Sequence, residues 1–199
     1  MITRNSSNQT PSGADFQIAH PSILSNFVWL VILIVAVLGG SLALSCVTPF
    51  AALAVALTGT VSLRASLRAM IAVWLANQVI GFGFFHFPLT ANAFLWGGAI
   101  GSATVAATIV ASVVMKYGSF WAAPLRLGVA FLLSFGFYET TLLAAAVFLG
   151  GFETFRPAVV AELAFVNAVS LAGMVVLNEV LSALCRSWLG RIPRLARSW

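Results

Sequence analysis

Residues 27–46, FVWLVILIVAVLGGSLALSC, run for twenty positions without a charged side chain. A stretch of about 20 apolar residues is long enough to cross the hydrocarbon of a bilayer as one helix. Further apolar stretches follow at 50–63, 69–87, 92–115, 127–149 and 157–184, and the charges fall almost entirely at their ends. Only 8% of the 199 residues are charged and 61% are hydrophobic, whereas a soluble domain carries about 25% charged residues. A soluble chain could not cover its surface with so few charges. The pattern predicts an all-α fold, a polytopic membrane bundle of six transmembrane helices with the lipid bilayer as its main solvent. Residues 1–26 read as a flexible polar tail, 27–184 as the six-helix domain and 185–199 as a basic tail.

The second span is short. Fourteen residues, 50–63, rise only about 21 Å as a helix, so this span reaches half depth or crosses a locally thinned bilayer. Val47, Thr48 and Pro49 form the tight turn before it, and Arg64 and Arg68 follow it on one helical face.

Six crossings put both termini on one side. That side then holds Arg4, Arg64, Arg68, Lys116, Arg126, Arg186, Arg191, Arg194 and Arg197, with only Arg156 opposite. Cytoplasmic loops carry such an excess of basic residues. Both termini are therefore expected to be cytoplasmic, in a bacterial inner membrane. The net charge of +5 is accounted for by orientation. No basic patch stands apart from the membrane ends, so no nucleic-acid partner is expected. Trp29, Trp121 and Trp188 fall near the inner interface, as an aromatic belt would.

Small residues recur at four-residue spacing. Ala99, Ala103, Ala107 and Ala111 do so in the fourth span, Gly39 and Ala43 in the first, and Ala164, Ala168 and Ala172 in the sixth. Such stripes let helix backbones approach closely. They serve packing within the bundle, or, on the first span, docking of a partner subunit.

The polar residues inside the spans share a depth. Asn77 and Gln78 lie near the middle of the third span, Tyr138, Glu139 and Thr140 near the middle of the fifth, and Asn167 and Ser170 near the middle of the sixth. In hydrocarbon an unmatched polar group costs several kcal/mol, so these groups are expected to face one another. Glu139 shares its depth with no basic residue. A charge at bilayer centre costs about 2.5–3.5 kcal/mol on insertion scales. Glu139 is therefore either a protonated tie to Asn167 or Gln78, or a site whose counter-charge comes from a proton, a metal ion or a cationic solute. His86, in GFGFFHF, reads as part of an interfacial aromatic anchor or as a gate that contacts the solute. Asn77, Gln78, His86, Glu139 and Asn167 are the candidate small-molecule site. Glu162 is expected near Arg156, and Glu179 within reach of Arg126 or Lys116, as interfacial structural groups.

No catalytic reading stands. Residues 112–119, SVVMKYGS, surround the lone lysine without phosphate-cradling glycines. Gly39-Gly40-Ser41-Leu42 resembles an intramembrane serine protease motif only faintly, with His86 wrongly ordered as its base. Cys46 and His86 cannot complete a four-ligand metal site. Cys46 and Cys185 stand at opposite faces, too far apart for a disulfide. No enzyme activity, cofactor or resident metal is expected.

Six short spans in this length, inner termini, and Pro49-Phe50-Ala51-Ala52-Leu53 leading through Leu57-Thr58-Gly59 into another helix resemble the substrate-binding S components of energy-coupling-factor vitamin transporters. The likeness covers roughly residues 27–184, with a shorter connection after the first span. It implies a solute binder that works with a membrane coupling subunit and a separate ATPase. In that family the small-residue face of the first helix docks the coupling subunit. Three readings follow: solute uptake, a non-transporting assembly subunit held by helix glue, and a proton or cation pathway through Glu139.

Overall fold

The computed structural model describes residues 48–189, and every regular element among them is helical. Helix α1 spans Phe50–Thr60, α2 Leu63–Val79, α3 Ala91–Tyr117, α4 Ala123–Leu149 and α5 Pro157–Leu189. A π turn, Ile80–Phe84, extends α2, and a 3₁₀ turn, Phe152–Phe155, precedes α5. The tail 1–26, the first span with Trp29, its Gly39/Ala43 stripe and Cys46, and the arginines beyond Leu189 lie outside the described residues.

Local chemistry sets the helix ends. Ser62 caps α2 by accepting from the Ala65 N–H at 3.5 Å, and Thr90 caps α3 by accepting from Ala93 at 3.3 Å. Pro124 sits in the first turn of α4, where a missing N–H costs nothing. Gly150 and Gly151 end α4 at φ +80° and +89°, a region that L side chains avoid.

Four of these helices are long and apolar enough to cross a membrane, with mean hydropathies from 1.4 to 2.0. Their outward faces carry Leu132, Phe148, Phe165 and Val176, each more than half exposed. Such faces suit lipid and not water, and the chain is an integral membrane protein. Short connections between α2, α3 and α4 make neighbours antiparallel. Arg64, Arg68, Lys116 and Arg126 therefore gather at one end of the bundle, with Arg156 at the other.

Helix α1 is the core. Phe50 through Leu57 are each no more than 3% exposed, and α2, α3, α4 and α5 all pack against it. Eleven residues rise only about 16 Å. Helix α1 is shorter than the fourteen residues expected for the second span, and its first eight residues are enclosed by longer helices. Its alanines explain this, because small side chains let four helices close around one axis.

The small-residue stripe of α3 serves the same packing. Ala103, Ala107 and Ala111 have no exposed surface, and neither has Thr108. On α5 the outcome differs, since Ala168 and Ala172 are exposed. Helix boundaries also shift from the expected spans. Helix α2 begins at Leu63 and takes in Arg64 and Arg68, and α5 continues to Leu189, past the expected start of the basic tail. Arginine stems can lie along apolar surface while the head reaches the interface, so a charge does not end a membrane helix.

Candidate functional site at the buried start of α1

A helix that begins inside a membrane bundle exposes four N–H groups that no water can satisfy. The start of α1 shows where they go. The Phe50 N–H donates to the Thr48 carbonyl at 2.8 Å, and the Leu53 N–H to the Pro49 carbonyl at 3.0 Å. The Ala52 N–H donates to Oδ1 of Asn167 on α5 at 3.2 Å. Asn167 is itself 6% exposed, and its Nδ2 donates to the Leu163 carbonyl one turn back at 3.0 Å. The Thr48 hydroxyl donates to Oδ1 of Asn77 on α2 at 2.8 Å. From α4, the Tyr138 ring stacks on Phe50 with centroids 6.1 Å apart.

Asn77, Tyr138 and Asn167 thus meet at one level, as their shared depth in the sequence suggests. They meet around the first turn of α1. Two of them engage that turn by hydrogen bonds, directly or through Thr48, and the third by stacking.

Glu139 follows Tyr138 on α4. The Glu139 side chain is half-buried, and Oε1 is shut off completely without a hydrogen-bond partner. Arg126, the basic residue of the first turns of α4, is thirteen positions away, about 20 Å along the axis. Thr140 does not join Glu139, because its hydroxyl donates to the Gly136 carbonyl at 2.7 Å, and Thr141 donates likewise to Phe137.

Gln78 and His86 stand apart from this group. Gln78 turns toward α3, with Oε1 against Gly97, where a Cβ would come within 2.6 Å. One turn earlier, Trp74 Nε1 donates to the Gly97 carbonyl at 2.9 Å. Together they clamp α2 to α3. His86 is exposed at φ +54°, beyond the π turn that extends α2. Around it Phe82 stacks on Phe94 at 4.8 Å and Phe85 on Phe87 at 6.2 Å. Gly81 permits this cluster, since a Cβ there would lie 2.9 Å from the Phe87 ring.

Arg156 pairs with Glu153 at 3.4 Å, both exposed, and not with Glu162. Glu162 and Glu179 are both exposed on α5. Among the described residues no group of three His, Cys, Asp or Glu could hold a metal.

Several contributors escape a reading by depth and charge. Thr48 looks like a turn residue, and the useful signal is Thr-Pro directly before a helix too short to cross. Ser134 is fully buried with no partner for Oγ, and Asn178 is 5% exposed with none for Nδ2. An open groove of about 580 Å³ lies between α2 and α3, walled by Ile71, Trp74, Gly98, Gly101, Thr104 and Ile109. Its wall is apolar and includes none of the five predicted site residues. Comparison with known proteins finds no matching family model, no matching curated protein and no matching solved structure.

Proposed function

We propose that the protein binds a small solute within the membrane and helps to carry it across, with Glu139 as the charged contact. The observation that supports this most is the Glu139 oxygen, buried and unpartnered on the residue that follows Tyr138, whose ring stacks on Phe50 at the start of a short buried helix. Unmatched carboxylates inside a membrane are costly and mark ion or substrate paths, and transporters place such sites where helices break at mid-depth. Asn77 and Asn167 then serve as positioning residues that hold the first turn of α1. Gln78 is a clamp to α3, and His86 belongs to the aromatic end cluster. The reading makes the chain a carrier and not a catalyst. It has six spans and both termini on the cytoplasmic side of a bacterial inner membrane. The S-component likeness adds a coupling subunit and a separate ATPase as partners.

A second reading has its own support. Because Asn77 and Asn167 are engaged with α1, the polar level also works as helix glue for an assembly subunit. Thermal unfolding of the purified full chain separates the two. The panel is amines, metal salts, organic acids and water-soluble vitamins, repeated across pH. Any ligand that binds only the folded state raises its stability. The carrier reading expects stabilisation by a solute or by pH in wild type and none in Glu139→Gln at unchanged helix content. Equal behaviour of the two proteins throughout removes it and leaves the assembly subunit.

A further inference from the structure

The inference rests on the carrier reading and concerns what Glu139 takes. A broken helix inside a membrane commonly offers its first N–H groups to an anion. Here three of the first four N–H groups are taken. The N–H groups of Phe50, Ala52 and Leu53 already donate to Thr48, Asn167 and Pro49. The neighbouring oxygens are engaged too: Asn77 Oδ1 by Thr48, Asn167 Oδ1 by Ala52, and the Gly136 and Phe137 carbonyls by Thr140 and Thr141. A hard divalent cation needs about six oxygen ligands, and no cluster of acidic, His or Cys side chains supplies them among the described residues.

Among the described residues, the buried carboxylate oxygen at this level without a hydrogen-bond partner is Glu139 Oε1. The other titratable groups lie elsewhere. Helix α1 has none. Those of α2 are Arg64 and Arg68 in its first turns, and those of α3 are Lys116 and Tyr117 at its end. Helix α5 presents Glu162 and Glu179, both exposed, and carries Arg186 near its end, while α4 itself has Tyr138 beside Glu139 and Arg126 in its first turns. One negative charge with one open acceptor matches a ligand with one positive charge and a hydrogen to donate. We propose that the cargo of the Glu139 site is a hydrogen-bond-donating monocation, arriving as a proton or as a protonated amine, and neither an anion nor a divalent metal.

The test uses the full chain in phosphatidylcholine vesicles, with dicyclohexylcarbodiimide as probe and peptide mass spectrometry as readout. This apolar reagent modifies protonated carboxyl groups in membranes. Wild type is expected to gain one adduct on Glu139, absent from Glu139→Gln. Severalfold protection by methylammonium chloride at fixed pH, with sodium chloride at the same concentration inert, assigns an amine. Labelling that falls severalfold as pH rises, with no protection by methylammonium, assigns the proton. Protection by magnesium chloride or sodium acetate overturns the proposal. So does labelling insensitive to both pH and methylammonium. Absence of the Glu139 adduct at every pH overturns it as well, since a site that takes cargo opens to one side. A neutral or divalent solute that stabilises wild type but not Glu139→Gln would sink the monocation and leave the carrier reading standing.

Discussion

Asn167 reaches 115 positions back along the chain to accept the backbone N–H of Ala52 at 3.2 Å. That single bond ties the longest of the described helices to the first turn of the shortest α-helix among them. It is buried on both sides, so nothing replaces it when it is lost. Asn167→Leu is expected to destabilise the protein by about 1–3 kcal/mol, the cost of an orphaned buried donor. Asn167→Asp keeps the acceptor but sets a carboxylate oxygen against the Leu163 carbonyl, and is expected to cost as much or more. Chemical denaturation in detergent, followed by circular dichroism, measures both.

The Thr48–Asn77 pair allows a double-mutant cycle. Thr48→Val and Asn77→Ala each remove one side of a 2.8 Å hydrogen bond, typically about 0.5–1.5 kcal/mol net. Their combined loss is expected to be smaller than the sum, because the second substitution finds the bond already broken. Additive losses would mean that the two side chains act independently.

Three glycines of α3 should rank in a fixed order. At Gly101 a Cβ would sit 2.8 Å from the Trp74 ring, and that ring is held by its bond to Gly97. At Gly97 the obstacle is the far end of Gln78, which can swing away. At Gly98 nothing lies within 4 Å. Gly101→Ala is expected to lower the melting temperature most and to shift Trp74 fluorescence. Gly97→Ala should lower it less, and Gly98→Ala should leave it unchanged or raise it. Any other order contradicts the α2–α3 clamp.

Ala107 has no exposed surface where α3 packs into the core. Ala107→Leu adds volume with no place to go, and overpacking costs about 1–3 kcal/mol or more. The expected outcome is poor folding of the isolated chain, seen as aggregation on size exclusion. Ala172→Leu, on the exposed stripe of α5, is expected to be silent in the same measurement. If it alone dissociates a complex isolated from membranes, the assembly-subunit reading gains its support.

The class of the protein was written in the spacing of its charges. Apolar runs bounded by arginines and a lone lysine can only be membrane helices, because the bilayer requires each backbone group to pair within its own segment. That Asn77, Tyr138 and Asn167 share a level was legible too, since rise per residue converts position to height. Azimuth and partners were not. Helical periodicity cannot reveal that Gln78 turns to Gly97, that Asn167 bonds a backbone far away in the chain, or that Arg156 prefers Glu153. Those outcomes depend on which helices close around α1, and only the packed bundle decides that. Hydropathy treats Phe50–Thr60 as one more apolar run. Tertiary structure buries Phe50–Leu57, ties the Phe50, Ala52 and Leu53 N–H groups within the protein, and leaves Glu139 Oε1 buried without a hydrogen-bond partner.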